Sequence, residues 1–582
     1  MRQGLRLSVV TAVLASAAGC LNPLDRQMED VLHEQVRSSQ RSFREAVSES
    51  PVVDVLRERS DVELKLTKER RQELDKIGGP RAYEGVALDL GSDLMGSSEA
   101  NTVRISLRQA VQMAARNNLD VKVAQVQPAI RQAQITQAEA AFDAVFFTDF
   151  NFQKTDTPFP PTNAFVSSAF GTVQEDTRTL VTGIRKPLSS GGQLTVSNQM
   201  GRNRRLPSFF STNQHYDSNI LLSLAQPLLR NFGEDVSRAQ IMLTRNARGS
   251  DLQQLRRQLL DVVDDTETEF WNLVLARYTV LFRQRLLKRT QVERDKIEAR
   301  LGHDATPVEF TQANSVVEST RADLIRAVNQ TRSSSDRLKR LMNSPDMTVA
   351  DELLLVPIDL PTDLPVKFNL LDAVMTAMKH RPEIQQALLQ IRDASIRQRV
   401  ADNARLPQLD LTATIRYNGI GANVGEAQEI VTDAKFIDYL VGMQFEAPFG
   451  NRRAESAWRE SQLNKRGAVT FYQREMQRVV LEVKLAMRAV IDAFRLIDAE
   501  RGSRLAAADN VRALDEREKA GEAQTPDFID RRLRSLQALS GAEAREIQGL
   551  TTYQIAISRL YQAMGTLLER NGIEFSHLPV EG

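Results

Sequence analysis

Residues 107–121 read LRQAVQMAARNNLDV and residues 370–384 read LLDAVMTAMKHRPEI, an offset of about 263. Leu107, Ala110, Val111 and Ala114 of the first stretch fall in phase with Leu370, Ala373, Val374 and Ala377 of the second, at the three-and-four spacing of one helix face. Two more landmarks recur in the same order. Ala225-Gln226-Pro227-Leu228 returns as Glu446-Ala447-Pro448-Phe449, and residues 302–307 (GHDATP) return as residues 521–526 (GEAQTP). Three landmarks kept in order make the chain two copies of one unit, the first with extra length in its strand region.

Within each unit the period changes in a fixed sequence. Residues 107–142 carry helical spacing and good helix formers. Residues 408–417 alternate instead: Leu409, Leu411, Ala413, Ile415 and Tyr417 point one way, Gln408, Asp410, Thr412, Thr414 and Arg416 the other, which is the pattern of a two-sided strand. Residues 440–447 supply its hairpin partner. In the first unit residues 146–153, 179–186, 193–200 and 218–226 read as four strands, with Ser189-Ser190-Gly191-Gly192 as the turn between the middle two. About six strands result, each near the length that crosses an outer membrane at a tilt. The middle hairpin either joins that wall or stands as an extracellular extension.

Helix lengths add a second constraint. Residues 236–300 form a helical stretch of roughly 65 residues, about 100 Å at 1.5 Å per residue. Residues 107–142 and 308–343 are each about 36 residues, roughly 54 Å, so two short helices end to end match one long one. The second unit repeats this with residues 452–520 long and the stretches from Asp527 and Leu370 shorter. The Pro-rich residues 344–368, with Pro345, Pro357, Pro361 and Pro365, fill the gap between short helices as a belt. Strands at one end, about 100 Å of paired helices and a sharp turn at the far end satisfy all of this.

Composition narrows the function classes. A chain of 582 residues is too long for one compact core and calls for several domains or an extended architecture. Lys+Arg 76 against Asp+Glu 75 leaves a net charge of +1, without the basic footprint of a nucleic-acid binder. Aromatics at 6% and charged residues at 26% suit long helices. The mean hydropathy is -0.34, and beyond the N-terminus no run of about 18 uncharged apolar residues offers a membrane-spanning helix, which leaves open a β-barrel.

The first residues are of another kind. Two arginines in residues 1–6, an apolar or small stretch over residues 7–18 and then Gly19-Cys20 read as a signal peptide ending in a lipobox-like site. Cys20, the single cysteine of the chain, becomes the lipidated first residue in this reading, and no disulfide is available to the exported protein. Leu21 in place of Asp after the cysteine fits the outer membrane. Residues 25–101 are rich in Arg, Glu and Asp, with helical patches at 28–47 and 53–77, and read as a solvated helical arm.

The duplication, the strand placement and both turn motifs together resemble the outer-membrane factors, the TolC-like exit ducts of tripartite efflux pumps and type I secretion systems, over roughly residues 106–572. The resemblance implies a mixed, mainly α fold: a trimeric duct with a long α-helical barrel, an outer-membrane β-barrel and two internal repeats. Six strands from one chain have open edges, and three copies under cyclic symmetry close a barrel of twelve strands if the middle hairpin stays out and eighteen if it joins. The chain then divides into a signal peptide 1–19, a lipid-anchored charged arm 20–101, a first repeat 102–368, a second repeat 369–573 and a tail 574–582. The implied partners are two further copies, a periplasmic adaptor of the membrane-fusion type, an inner-membrane pump and outer-membrane lipid of a Gram-negative-type envelope, with no nucleic acid, cofactor or metal.

The two turn motifs carry the candidate site. Thr306 and Thr525 are good N-caps, Pro307 and Pro526 occupy the first helical position, and Glu309 completes a capping box in the first copy. On the family pattern Gly302, Thr306, Pro307, Gly521, Thr525 and Pro526 form the periplasmic tips and the adaptor contact. Asp527 and Asp530 share one helix face and fall where the family's Gly-x5-Asp-x2-Asp pattern, from Gly521, places an acidic constriction; threefold symmetry makes them rings that bind cations and slow anions. Asp527 also suits a helix N-terminus by itself. Ala523 stands where the family often has a basic residue and Val308 where it has an acidic one, which moves the closing contacts elsewhere, to Arg531 or Arg517.

Catalytic constellations are missing from the sequence. The five histidines, His33, His215, His303, His380 and His577, are isolated, there is no phosphate-binding Walker loop, and the Gly-rich residues 419–425 have the wrong spacing for a dinucleotide site and read as an extracellular loop. The expected function is therefore a passive, gated exit duct powered by a partner, for small molecules or proteins. The alternative is a structural coiled-coil envelope lipoprotein, which has no use for two-sided strands midway between long helices in both copies.

Overall fold

A computed structural model describes residues 52–54, 61–83, 102–158, 172–206, 214–302, 305–522 and 525–575. The signal peptide, Cys20, the patch 28–47, His303, Ala523 and most of the tail lie outside the described residues. The chain begins with β1 (Val52–Asp54), α1 (Asp61–Lys65), α2 (Lys68–Ile77) and β2 (Thr102–Ile105). Helices α3 (Leu107–Asn117) and α4 (Leu119–Glu139) lead into β3 (Val145–Pro158), β4 (Thr172–Pro187), β5 (Gln193–Leu206) and β6 (Gln214–Pro227). Next come α5 (Glu234–Ser237), the 60-residue α6 (Ala239–Glu298), α7 (Pro307–Met342), β7 (Leu354–Pro357) and β8 (Lys367–Asn369). Helices α8 (Leu370–His380) and α9 (Pro382–Asn403), strand β9 (Gln408–Gly421), α10 (Val424–Thr432) and β10 (Phe436–Glu446) precede the 68-residue α11 (Arg452–Lys519), α12 (Pro526–Met564) and α13 (Leu567–Arg570).

Several boundaries differ from the sequence reading for local reasons. Residues 107–142 are not one helix: Asn118 leaves helical backbone at φ −56°, ψ 132°, and its Oδ1 accepts from the amides of Asp120 and Val121 at 2.9 and 3.3 Å, starting a new helix. The helix from Leu370 breaks likewise at Arg381, extended at φ −69°, ψ 126° because Pro382 follows. Residues 419–425 are no loop. Strand β9 runs through Gly421, and α10 lies so close to it that a Cβ on Gly419 would stand 2.0 Å from the Ala427 carbonyl oxygen.

The chain divides into two compact units. One holds the sheet, α10 and the helical segments nearest the strands, residues 128–250 and 387–471 among them. Its sheet has six strands in the order β10-β9-β6-β5-β4-β3, all antiparallel. The middle hairpin is therefore bonded on both sides as part of the sheet. Gly191, at φ 90°, makes its turn, where a Cβ would meet the Asn231 carbonyl oxygen at 2.2 Å.

The other unit is built on the remaining stretches of α6, α7, α11 and α12 with α3, α8 and the belt. Val111, Ala114 and Val121 pack on Leu255, Leu259, Leu260, Val262 and Val263 of α6 and on Leu567 and Leu568. Burial pushes the Asp264 carboxyl up to about 6, although Ser558 donates to it at 2.9 Å. The belt forms strand β7, which pairs in parallel with β2, and β8, which pairs antiparallel with β1. Residues 52–54 are thus strand where helical spacing was expected. The expected solvated arm is also corrected: α2 buries Leu74 against α6, α11 and α12, and Tyr83, in the turn after α2, is buried beside Phe282 of α6 and Glu543 of α12.

Candidate functional site

Register makes the sheet two-faced. Phe146, Ile184, Val196, Leu222, Ile415 and Tyr439 are successive cross-strand partners, one apolar row across all six strands. One residue further along β3, the row on the opposite face is Phe147, Gly183, Ser197, Leu221, Arg416 and Asp438, and the row beyond it on that face runs Asp149, Val181, Gln199, Asn219, Asn418 and Phe436. Period-2 alternation thus places hydrocarbon on one face and mostly amides, hydroxyls and charges on the other. Among the described residues nothing covers the apolar face: Phe146 is 69% and Tyr439 68% exposed. Among the described residues, strands β3 and β10 are each paired on one side only, which leaves two open edges of 14 and 11 residues.

The tips are well-made helix boundaries. Gly302 and Gly521 take φ 86° and 85°, left-handed values that a side chain resists. After Gly521, the Glu522 amide bonds the Arg517 carbonyl at 3.1 Å and closes the end of α11. Thr306 accepts from the Glu309 amide while Glu309 Oε2 accepts from the Thr306 amide at 2.8 Å, the expected capping box. Thr525 accepts from Phe528 N at 3.3 Å without the reciprocal bond, since position three is an aromatic residue. Pro307 and Pro526 sit at the first helical positions.

Asp527 is exposed and Asp530 half-buried on one side of α12, while Phe528 and Ile529 are buried. Each acid has an arginine four residues on: Asp527 meets Arg531 at 3.0 Å and Asp530 meets Arg534 at 2.9 Å. Gln312 of α7 donates to Asp530 at 3.3 Å. With the Asp527 side chain 85% exposed, its pair with Arg531 is weak and free to rearrange, worth about 0–1 kcal/mol. Arg517 pairs with Glu522 at 2.6 Å, so both arginines singled out from the sequence are engaged within their own tip.

No family model matches the chain, and no curated protein matches its sequence. Solved structures do match its fold. The outer-membrane channel CmeC of Campylobacter jejuni is 16% identical, with 83% of this chain and 92% of that one covered and a TM-score of 0.55. The open-state outer-membrane channel MtrE of Neisseria gonorrhoeae is 15% identical, covering 79% and 89% at 0.52, and the outer-membrane protein VceC of Vibrio cholerae is 13% identical, covering 79% and 96% at 0.53. The chain has the TolC-like fold of the outer-membrane factors.

Within this outer-membrane-factor fold, sequence reasoning missed a polar cluster near the tips. Arg532, one position beyond the arginine singled out, joins Glu293 of α6 at 3.2 Å, Asp515 of α11 at 3.1 Å and Glu518 of α11. Lys296 bridges Glu518 and Glu293 at 2.8 and 3.2 Å. Burial opposes ionisation of Glu518, yet Lys296 and Arg532 hold its carboxyl below the usual range. The signal was present in spacing, since Phe528, Ile529, Arg532, Leu533 and Leu536 fall on the buried face of α12.

Proposed function

We propose that the chain is the outer-membrane exit duct of a tripartite efflux pump or type I secretion system, a passive channel that works as a homotrimer. The two-faced sheet carries the reading. An uncovered apolar face suits outer-membrane lipid, a polar face suits a hydrated lumen, and two free edges suit strands of further copies. Three copies of the six-strand sheet close as eighteen strands, with a backbone radius of about 18 Å for strands 4.8 Å apart at a tilt near 40°. Such a barrel is wide enough for an aqueous passage.

The tips around Gly302, Thr306 and Pro307 and around Gly521, Thr525 and Pro526 meet a periplasmic adaptor in this reading, and Asp527 and Asp530 ring the constriction. An inner-membrane pump supplies the energy, and lipid on Cys20 anchors each copy. The edge pairing is tested by a cysteine at Phe150 in β3 combined with a cysteine scan of residues 437–445 in β10, in the full chain expressed in outer membranes. Disulfide-linked trimers at one register are expected. Monomers at every register overturn the closed barrel.

A further inference from the structure

We propose that residues 61–83 form a strap that fastens the tip-proximal parts of α11 and α12 to α6 and restrains their separation. Nothing in the sequence pattern of the duct requires these residues, yet they make some of the most fully buried contacts in their unit. Leu74, with no exposed surface, sits among Leu286 of α6, Leu505, Ala508 and Val511 of α11, and Leu536 and Leu539 of α12. Three helices thus meet on one side chain of a fourth. Leu505 and Val511 lie within about 22 Å of the end of α11, and Leu536 and Leu539 within about 20 Å of the start of α12, at 1.5 Å per residue.

The end of α2 is held by charge. Its last carbonyls have no partner in their own helix and carry the negative end of the helix dipole. Arginines from two other helices meet them: Arg285 donates to Lys76 O at 3.4 Å and Arg289 to Ile77 O at 3.0 Å, both from α6, while Arg504 of α11 donates to Gly78 O. Arg504 also pairs with Asp75 at 2.8 Å and with Glu546 of α12. Tyr83 then closes the strap, its hydroxyl donating to Glu543 Oε1 of α12 at 2.8 Å and its ring 4.9 Å from Phe282 of α6.

Gly78 and Gly79 allow the close approach. A Cβ on Gly78 would stand 2.9 Å from both Glu543 Oε1 and Leu539 Cδ1, and one on Gly79 3.2 Å from Arg504 Nη1. The strap therefore touches each of the three helices through both apolar and charged contacts, while its own helix is only 10 residues long and too short to hold without them. A short element whose stability derives from its docking is suited to come off as a unit.

The experiment is hydrogen exchange read by mass spectrometry on the full-length protein, comparing wild type with Leu74→Asp and with the milder Tyr83→Phe. Expected is exchange at least tenfold faster over residues 505–511 and 536–543 in Leu74→Asp, a smaller rise in Tyr83→Phe, and unchanged protection over residues 259–263. Wild-type protection at 505–511 and 536–543 overturns the strap, and so does equal loosening at 259–263 in both variants, since the segment is then part of the common core. Its bearing on opening rests on the duct reading and is read separately, as single-channel conductance in a planar bilayer. Higher mean conductance in Leu74→Asp supports restraint of opening; faster exchange with unchanged conductance in a conducting channel overturns it. A wild type that does not conduct counts against the duct alone and leaves the strap to be decided by exchange.

Discussion

Tyr83 and Glu543 are 460 positions apart in sequence, yet the tyrosine hydroxyl donates to the Glu543 carboxylate at 2.8 Å inside the helical unit. Burial pushes the Glu543 carboxyl up to about 7, and the Coulomb effect of Arg285, Arg289 and Arg504 pulls the other way. Burial likewise pushes the Tyr83 hydroxyl well above its ordinary value.

A pH dependence follows from that carboxyl. Its value in the folded chain lies above the ordinary carboxylate range, so the folded state holds a proton that the released state gives up. Its contribution is fully present below about pH 4.5 and is lost as pH rises through about 7, a change of roughly 3 kcal/mol at most. Limited proteolysis of residues 61–83 should be slower at pH 5 than at pH 8. Glu543→Gln, which keeps an acceptor for Tyr83, should flatten that difference; an unaltered difference assigns the effect to another group.

Arg532 joins acids from two other helices, and its side chain is only 13% exposed. Replacing it with Met leaves Glu293 and Glu518 without their guanidinium and should cost roughly 3 kcal/mol. The apparent melting temperature by circular dichroism should fall, and adding Glu518→Gln should restore part of it. An undisturbed melting temperature means that the cluster contributes nothing net.

Adjacent positions on β9 separate the two faces of the sheet. Ile415 lies in the apolar row, and Thr414 faces the other side. Ile415→Lys should sharply reduce assembly in the outer membrane, since a lysine facing lipid near the midplane costs about 2–4 kcal/mol, while Thr414→Lys should assemble normally. Equal assembly of both variants contradicts the assignment of faces.

At the tips, Asp527→Ala together with Asp530→Ala should lower the cation preference of the reconstituted channel several-fold if the two carboxylates, on one side of the first turns of α12, line the constriction. Their arginine partners, Arg531 and Arg534, remain in that variant and shift the local charge towards positive. Reversal potentials in a salt gradient read the change, and unaltered selectivity removes the pair from the constriction.

Much of this architecture was legible because its signals are local. The alternation from Leu409 to Tyr417 and the capping residues Thr306 and Glu309 are written in adjacent positions, and periodicity reports them directly. The break at Asn118 was not, since one asparagine in a helical pattern does not show which backbone its side chain will cap. The docked arm was the least legible. Residues 68–77 (KERRQELDKI) read as a charged, solvated helix, and what buries Leu74 is a set of residues from Leu286 to Leu539, far away in the chain. The pairing of Arg532 is illegible in sequence for the same reason, as its partners Glu293 and Glu518 belong to other helices.

The most direct measurement is single-channel conductance of the purified full-length protein in a planar bilayer, with its assembly state fixed by native mass. A trimer with a small conductance that cations diminish is the expected result. A monomer that conducts nothing contradicts the duct and leaves the apolar face and open edges of the sheet to another partner.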